Sequence, residues 1–398
     1  MDSRAGGPYR FPKGDLVIYL DQNSTSFPKA PGVGEVMCDY LVNRGVNIGR
    51  GNYDEAYTVE VDVIDTRERL ASLFGGDDPR RVIFTPGVTF SLNLFFNGAL
   101  EEGDHVVISG MEHNAVMRPL SRLARTRGVR YSVAETNRQG EVSTEAFEKA
   151  IEKKTKAIVT LHASNVCGTI LPIEAIGRLA RDRGLLFAVD GAQTAGSVPI
   201  DVAAMNIDFL AFTGHKTLGG PHGIGGFLIT EALSKELEPL IVGGTGSRSD
   251  SMEQPDYLPD KYESGTMNIP GILGLRQALI ELERHDQRKI FERKMALTDR
   301  FLKGVTGLDD VRVVGLATIA GRTATVSLDF GERDNALIAY ELERGWGIMT
   351  RVGLHCAPLA HQSLGSFPHG TVRFSFGAHL TDDDVDTAVE AIKTLLEG

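Results

Sequence analysis

Asp190 closes the apolar run Phe187-Ala-Val-Asp190, and Lys216 closes another, Phe212-Thr-Gly-His-Lys216, 26 residues further on. A carboxylate ending a buried strand can keep a ring nitrogen protonated. A lysine in an apolar, partly desolvated pocket can lose its proton and form a Schiff base with an aldehyde. A heterocycle held cationic by one and anchored by the other becomes an electron sink, which is the skeleton of a pyridoxal phosphate site. Either residue alone would read as an ordinary strand-end acid or a surface lysine. With Thr213, His215 and Gln193 at their present spacings, the cofactor reading prevails.

Further groups fit the same chemistry. Thr85-Pro-Gly-Val-Thr89 lies between an expected strand and helix, so its backbone N–H groups and the Thr89 hydroxyl could hold a phosphate at a helix N-terminus. Thr213 and His215 could add side-chain bonds to that phosphate. His113, in Met111-Glu-His-Asn114, follows the next strand and could stack on the pyridine ring. Taken singly, these would be a capped glycine turn and a structural histidine.

The elements that must position them form a regular series. Leu16–Leu20 reads as a strand ending at Asp21, and 55–74 as a helix with Val59, Val63, Ile64, Leu70 and Phe74 in one stripe. Strands are expected over 82–85, 105–109, 157–161, 185–189, 209–212 and 226–229, alternating with helices near 89–99, 115–127 and 173–183. Such apolar strands with helical crossovers predict an α/β fold, a mostly parallel sheet covered on both faces. Ligands in such sheets sit beyond the strands' carboxyl ends, where Asp190 and Thr213 fall. After the polar, glycine-rich 243–268 come one long helix near 271–300, strands near 323–329, 347–351 and 371–376, and helices near 335–344 and 382–396. That reads as a smaller α+β unit. The expected division is an N-terminal segment, 1–25, a large unit, 26–268, and a small unit, 269–398.

Composition narrows the functions. A chain of 398 residues suits two domains. Its formal net charge of −11, with no dense Lys/Arg stripe, leaves no electrostatic footprint for nucleic acid or an anionic membrane. No apolar run is long enough to span a bilayer, and 1–13 has no signal-like apolar stretch. Three cysteines, Cys38, Cys167 and Cys356, make neither a disulfide framework nor a metal motif, so a reducing cytoplasm is the expected location.

The chain resembles the class V, fold-type I pyridoxal phosphate enzymes, and within them the NifS/SufS-like cysteine desulfurases. The segments that carry the likeness are Tyr19-Leu-Asp21, Gly49-Arg-Gly51, Met111-Glu-His-Asn114, Ser164-Asn-Val-Cys-Gly-Thr169, Val189-Asp-Gly-Ala-Gln193, Thr213-Gly-His-Lys216, Glu263-Ser-Gly-Thr266 and Arg351-Val-Gly-Leu-His-Cys-Ala-Pro358. The resemblance implies Lys216 as the Schiff-base lysine, Asp190 on the pyridine nitrogen, Gln193 on the ring hydroxyl and His113 as the stacking ring. It puts the Val88 N–H, Thr89, Thr213 and His215 on the phosphate. Thr266 is implied to reach the phosphate of a neighbouring subunit, which makes the expected assembly a homodimer with shared sites.

Cys356 and Arg373 speak to the substrate. A thiolate at Cys356 could take sulfur from a cysteine adduct as a persulfide and leave alanine, and Arg351 and His355 would favour that thiolate if they face it. Arg373, in Thr371-Val-Arg-Phe-Ser-Phe376, sits on an expected strand, and a guanidinium fork is the usual clamp for a carboxylate. The resemblance adds Asn165 to that clamp and Arg50 at the entrance from a partner subunit. Asn23 and Arg351 complete the expected substrate-binding set. Three places depart from the family pattern: Gln22-Asn23-Ser24 replaces small apolar residues, Val88 and Phe90 stand where Thr or Ala and Glu are common, and Met267 stands where Pro is common. Cys167 reads as packing.

The resemblance therefore implies a cysteine desulfurase acting on L-cysteine and handing sulfur to an acceptor protein. Selenocysteine lyase, or another class V reaction such as aminotransfer, β-elimination or epimerisation, is the alternative. A non-catalytic binding role ranks last, because Lys216, Asp190, His113 and Arg373 are all present.

Overall fold

A computed structural model describes residues 17–49 and 51–397. Arg50 therefore lies outside the described residues. The strands are β1 (Ile18–Tyr19), β2 (Val82–Thr85), β3 (His105–Ser109), β4 (Arg130–Ala134), β5 (Thr155–Leu161), β6 (Leu186–Asp190), β7 (Phe209–Thr213), β8 (Gly225–Ile229), β9 (Arg312–Val314), β10 (Thr325–Asp329), β11 (Ile348–Met349), β12 (Arg351–Gly353) and β13 (Thr371–Ser375).

Seven of them form one sheet in the order β2-β8-β7-β6-β5-β3-β4. β3 to β7 run parallel, and β8 lies antiparallel between β7 and β2. The mostly parallel α/β architecture expected from the sequence is the one observed. Both faces are buried because successive residues of one strand enter different cores. Ile158, Val189 and Leu210 pack into one core, while Val159, Ala188 and Phe209 pack into the other. β4 escaped the sequence reading for the complementary reason: at the sheet edge, Ala134 is its one buried residue.

A second, antiparallel sheet has the order β12-β13-β10-β9. Its core joins Val326, Leu328 and Phe374 to the helices 287–305 and 382–397, and includes Ile18 and Leu20. The N-terminal segment is fastened there, since β1 pairs in parallel with β11 and the Ser375 N–H donates to Leu20 O at 2.7 Å.

Three expectations change. The single long helix near 271–300 is two, Ile269–Arg284 and Gln287–Val305. Asp286 adopts φ 55° between them, and its carboxylate caps the second by accepting from the Arg288 N–H at 3.1 Å. The first of these helices packs Ile272 and Leu275 into the large-sheet core. The strand expected at 347–351 is split into β11 and β12. Ile64, assigned to the buried stripe of helix Asp54–Leu73, is exposed. Among the described residues no helix is long and apolar enough to cross a membrane.

Candidate active site

Parallel strands release their chain at one edge of the sheet, and five such exits converge here. β2 ends at Thr85 and turns through Gly87 into helix Val88–Ala99. β3 leads through Glu112 to His113, β5 to Asn165, β6 ends on Asp190, and β7 runs through Thr213 to His215 and Lys216. Between them lies a cavity of about 560 Å³ lined by Val88, Thr89, His113, Asn165, Asp190, Gln193, Thr213, His215 and Lys216. The sequence-predicted cradle residues, Thr266 apart, thus share one cavity.

The Lys216 amine is pushed down to about 8, chiefly by burial; Asp190 opposes the shift and Arg373 adds to it. A neutral fraction therefore exists near neutral pH. The Asp190 carboxyl is pushed up by burial, against the Ala192 N–H, which donates to its Oδ1 at 2.9 Å, and against the Lys216 charge. Burial lowers His113 to about 4, and Lys216 adds to the effect. His113 is therefore neutral at pH 7. Its Nδ1 accepts from the Ala115 N–H at 3.0 Å as the cap of helix Asn114–Arg127, so its proton resides on Nε2.

The turn before helix Val88–Ala99 is built for an anion. Among the described residues no side chain caps its first turn, which leaves the Val88 and Thr89 N–H groups without partners there. Gly87 holds φ 149°, and a Cβ there would stand 3.4 Å from Thr213 Oγ1, inside the space a phosphate needs. Elsewhere in the cavity wall, Gln193 Oε1, Asn165 Oδ1 and His215 Nδ1 are buried without partners among the described residues. Buried polar atoms without protein partners, gathered around one cavity, suit a polar ligand. Residues that could hold an aromatic phosphate ester are all in place.

On the substrate side the structure departs from expectation. Arg373 is buried on β13, but its fork is taken: Nη1 donates to Asn165 O at 3.0 Å, and Nη2 to Asp21 Oδ1 at 2.9 Å and to Ser24 Oγ at 2.8 Å. Nε alone is unpartnered. Asn165 donates one amide N–H to His355 O at 2.8 Å, and its Oδ1 has no partner among the described residues. Arg351 Nε donates to Asp21 Oδ2 at 3.1 Å. Asn23 braces the wall, with Nδ2 on Thr325 Oγ1 at 2.7 Å and its carbonyl accepting from Gln193 Nε2 at 3.3 Å. Thr266 is exposed beside a separate cavity, lined also by Phe84 and Glu263.

Cys356 lies on the short connection from β12 to helix Pro358–Leu364, and its side chain is exposed. His355 and Cys356 both adopt left-handed backbone conformations, φ 47° and 56°. Two bonds hold them: Asn165 to His355 O, and the Asn114 N–H to Cys356 O at 2.8 Å. His355 cannot supply the cation expected beside the thiol. Its ring is buried against Thr371, with Nε2 and Oγ1 2.9 Å apart, and burial drives its pKa well below the ordinary value.

Two residues of this site escaped the sequence reading. Asp21 pairs with residues more than 300 positions away, and neither its place at a strand end nor the Tyr19-Leu-Asp21 likeness foretells those partners. Glu112 is fully buried behind Asp190 and is pushed up to about 8 by burial, against bonds from the Ser109 hydroxyl and the Leu161 N–H. Its place inside Met111-Glu-His-Asn114 was visible, but nothing local foretells its burial.

The family model for aminotransferase class-V matches residues 18–388. This chain belongs to the class-V aminotransferase family. Among its class-V relatives, a probable cysteine desulfurase of Methanothermobacter thermautotrophicus is 32% identical over 384 residues, spanning 95% of this chain and 94% of the relative. The cysteine desulfurase IscS of Vibrio campbellii is 32% identical over 394 residues, 95% of this chain and 92% of its own. Among solved class-V structures, the apo cysteine desulfurase from Thermococcus onnurineus NA1 superposes with a TM-score of 0.91 at 30% identity, covering 98% of this chain and 97% of that one.

Proposed function

We propose that this class-V protein is a pyridoxal phosphate-dependent cysteine desulfurase that converts L-cysteine to L-alanine and carries the sulfur on Cys356 to an acceptor protein. One observation carries the reading: the exposed Cys356 is bonded through its carbonyl to Asn114, the residue beside His113, so a mobile-sulfur acceptor stands next to the Lys216 cavity.

Lys216 would anchor the cofactor, Asp190 would face its ring nitrogen, Gln193 its ring hydroxyl, and Val88, Thr89, Thr213 and His215 its phosphate. When bound, the cofactor supplies an electron sink for bonds at the substrate's α and β carbons. Lys216, with its amine near 8, takes and returns the proton at the α carbon. His113 holds a proton on Nε2 that it could give to the carbon fragment as the carbon–sulfur bond breaks. The Cys356 thiolate forms a sulfur–sulfur bond as the substrate's carbon–sulfur bond breaks, and the carbon fragment, reprotonated, leaves as alanine. Arg373, through Nε and by exchange of its Asp21 contact, receives the substrate carboxylate.

The same reading makes the protein a cytoplasmic homodimer. Exposed Leu41, Val42, Tyr57 and Val61 support an apolar interface, and Thr266 and Arg50 would serve the neighbouring site. It keeps the division into 1–25, 26–268 and 269–398. Incubation with cysteine and a thiol reductant should give alanine and sulfide in equal amounts, and Cys356→Ala should abolish both. Undiminished turnover in that variant would refute the sulfur relay. A keto acid product, with the cofactor left in its amine form, would point to aminotransfer instead, and faster turnover of selenocysteine would make the protein a lyase for that substrate.

A further inference from the structure

Behind Lys216 lies a second cavity of about 250 Å³, at the junction of the N-terminal segment, the two helices 269–284 and 287–305, and the chain that follows β13. Lys216 and Gln193 line both cavities, so they form the partition between them. The charge of the second cavity is anomalous for a chain with net charge −11. Lys29 and Lys294 line it, together with His285 and His379, and Glu281 is the single carboxylate in its wall.

That carboxylate is already engaged. Glu281 accepts from Arg284 Nη1 at 2.5 Å and from Gln277 Nε2 at 3.2 Å, and lies 3.6 Å from His285 Nε2. Lys29 donates to three neutral oxygens, Thr25 Oγ1, Ser26 Oγ and His215 O, and has no acidic partner. Lys294, half-buried on helix Gln287–Val305 and lining the cavity, has neither a hydrogen bond nor an ion pair from its ammonium among the described residues. Burial pushes both amines down to about 8, the mark of cations held without compensation. A desolvated cation without a partner is costly, and an anion from solution is what removes the cost.

The rest of the wall narrows the anion. Ala278, Leu282, Ile290, Ala324 and Phe376 give it apolar surface suited to a short hydrocarbon body. Among the described residues no free carboxylate lines the cavity to receive an ammonium group, which disfavours amino acids. We propose that this cavity is a binding site for a small organic acid lacking an amino group, its carboxylate on Lys294 and its carbon chain against Leu282, Ile290 and Phe376. The site stands apart from the desulfurase reading and holds whatever reaction the first cavity performs. Because Lys216 and Gln193 form the partition, an occupant would touch the back of the catalytic wall.

Calorimetric titration of succinate into the full-length, cofactor-loaded protein tests this. We expect saturable binding that weakens at least tenfold in Lys294→Met, and weakens with added salt. The methionine variant removes an unpaired charge while keeping the stem, so it should melt no lower than the parent. Lys294→Arg should restore binding. Absence of succinate binding, or equal binding in Lys294→Met, would overturn the proposal. So would binding that survives in Lys294→Met and disappears in Arg373→Lys, since the probe would then sit in the first cavity. Alanine and inorganic phosphate are the comparison arms: tighter Lys294-dependent binding of either would overturn the assignment to organic acids.

Discussion

Asp21 occupies the guanidinium of Arg373: its Oδ1 accepts from Nη2 at 2.9 Å, while its Oδ2 accepts from Arg351 Nε at 3.1 Å. On the proposed function, a substrate carboxylate would compete with a carboxylate of the chain itself. Asp21→Asn should lower the KM for cysteine several-fold with little change in kcat, because the competitor loses its charge. It should also lower the melting temperature, since a buried guanidinium is left without its counter-ion, a loss of up to about 3–5 kcal/mol for breaking such a pair. A raised KM in this variant would mean that Asp21 only braces Arg373.

Lys216 sets a pH limit on cofactor loading. Its amine, near 8, is mostly protonated below that value, and the reactive neutral fraction falls about tenfold per pH unit. Stopped-flow absorbance of apoprotein mixed with pyridoxal phosphate should show a capture rate that climbs from pH 6 to 8 and levels above it. Lys216→Ala should show no such phase.

Glu112 links stability to pH with the opposite sign from an ordinary ion-paired acid. Its carboxyl is raised from 4.5 to about 8, so its contribution is complete below pH 4.5 and is lost as pH rises through 8. Urea midpoints of the parent should fall across that window relative to those of Glu112→Gln, which keeps an acceptor for Ser109 and Leu161 but cannot ionise. Parallel curves for the two proteins would refute a neutral Glu112.

Arg67 and Glu263 form a buried pair, Nη2 to Oε2 at 2.5 Å, and Glu263 Oε1 also accepts from the Phe84 N–H at 2.6 Å. The pair thus fixes β2, whose end carries the phosphate turn. Arg67→Met should cost about 3–5 kcal/mol and weaken cofactor retention, both read by denaturant titration with and without pyridoxal phosphate. Adding Glu263→Gln should recover part of the loss, because the stranded charge is then gone.

The cradle was legible because each of its polar residues follows an apolar run, and the exits of parallel strands share one edge. Asp190, Thr213 and Lys216 needed only that rule to be placed together. The substrate side was not legible, because its contacts join distant segments. Arg373 looked like a free fork, yet Asp21 and Ser24 reach it from about 350 residues away. His355 looked like a neighbour for the thiol, but its left-handed backbone turns the ring towards Thr371. The break at Asp286 was hidden for a similar reason, since helical periodicity continues on both sides of it.

The short connection bearing Cys356 has a mechanical consequence. Left-handed conformations at two successive non-glycine residues cost about 1–3 kcal/mol each and persist only where neighbours enforce them, as Asn165 and Asn114 do here. Ala357 follows, fully buried, and helix Pro358–Leu364 begins at once. Such a mount has no slack. On the proposed sulfur relay, the sulfur would be delivered at a fixed point on the surface, so travel in the handover would fall to the recipient.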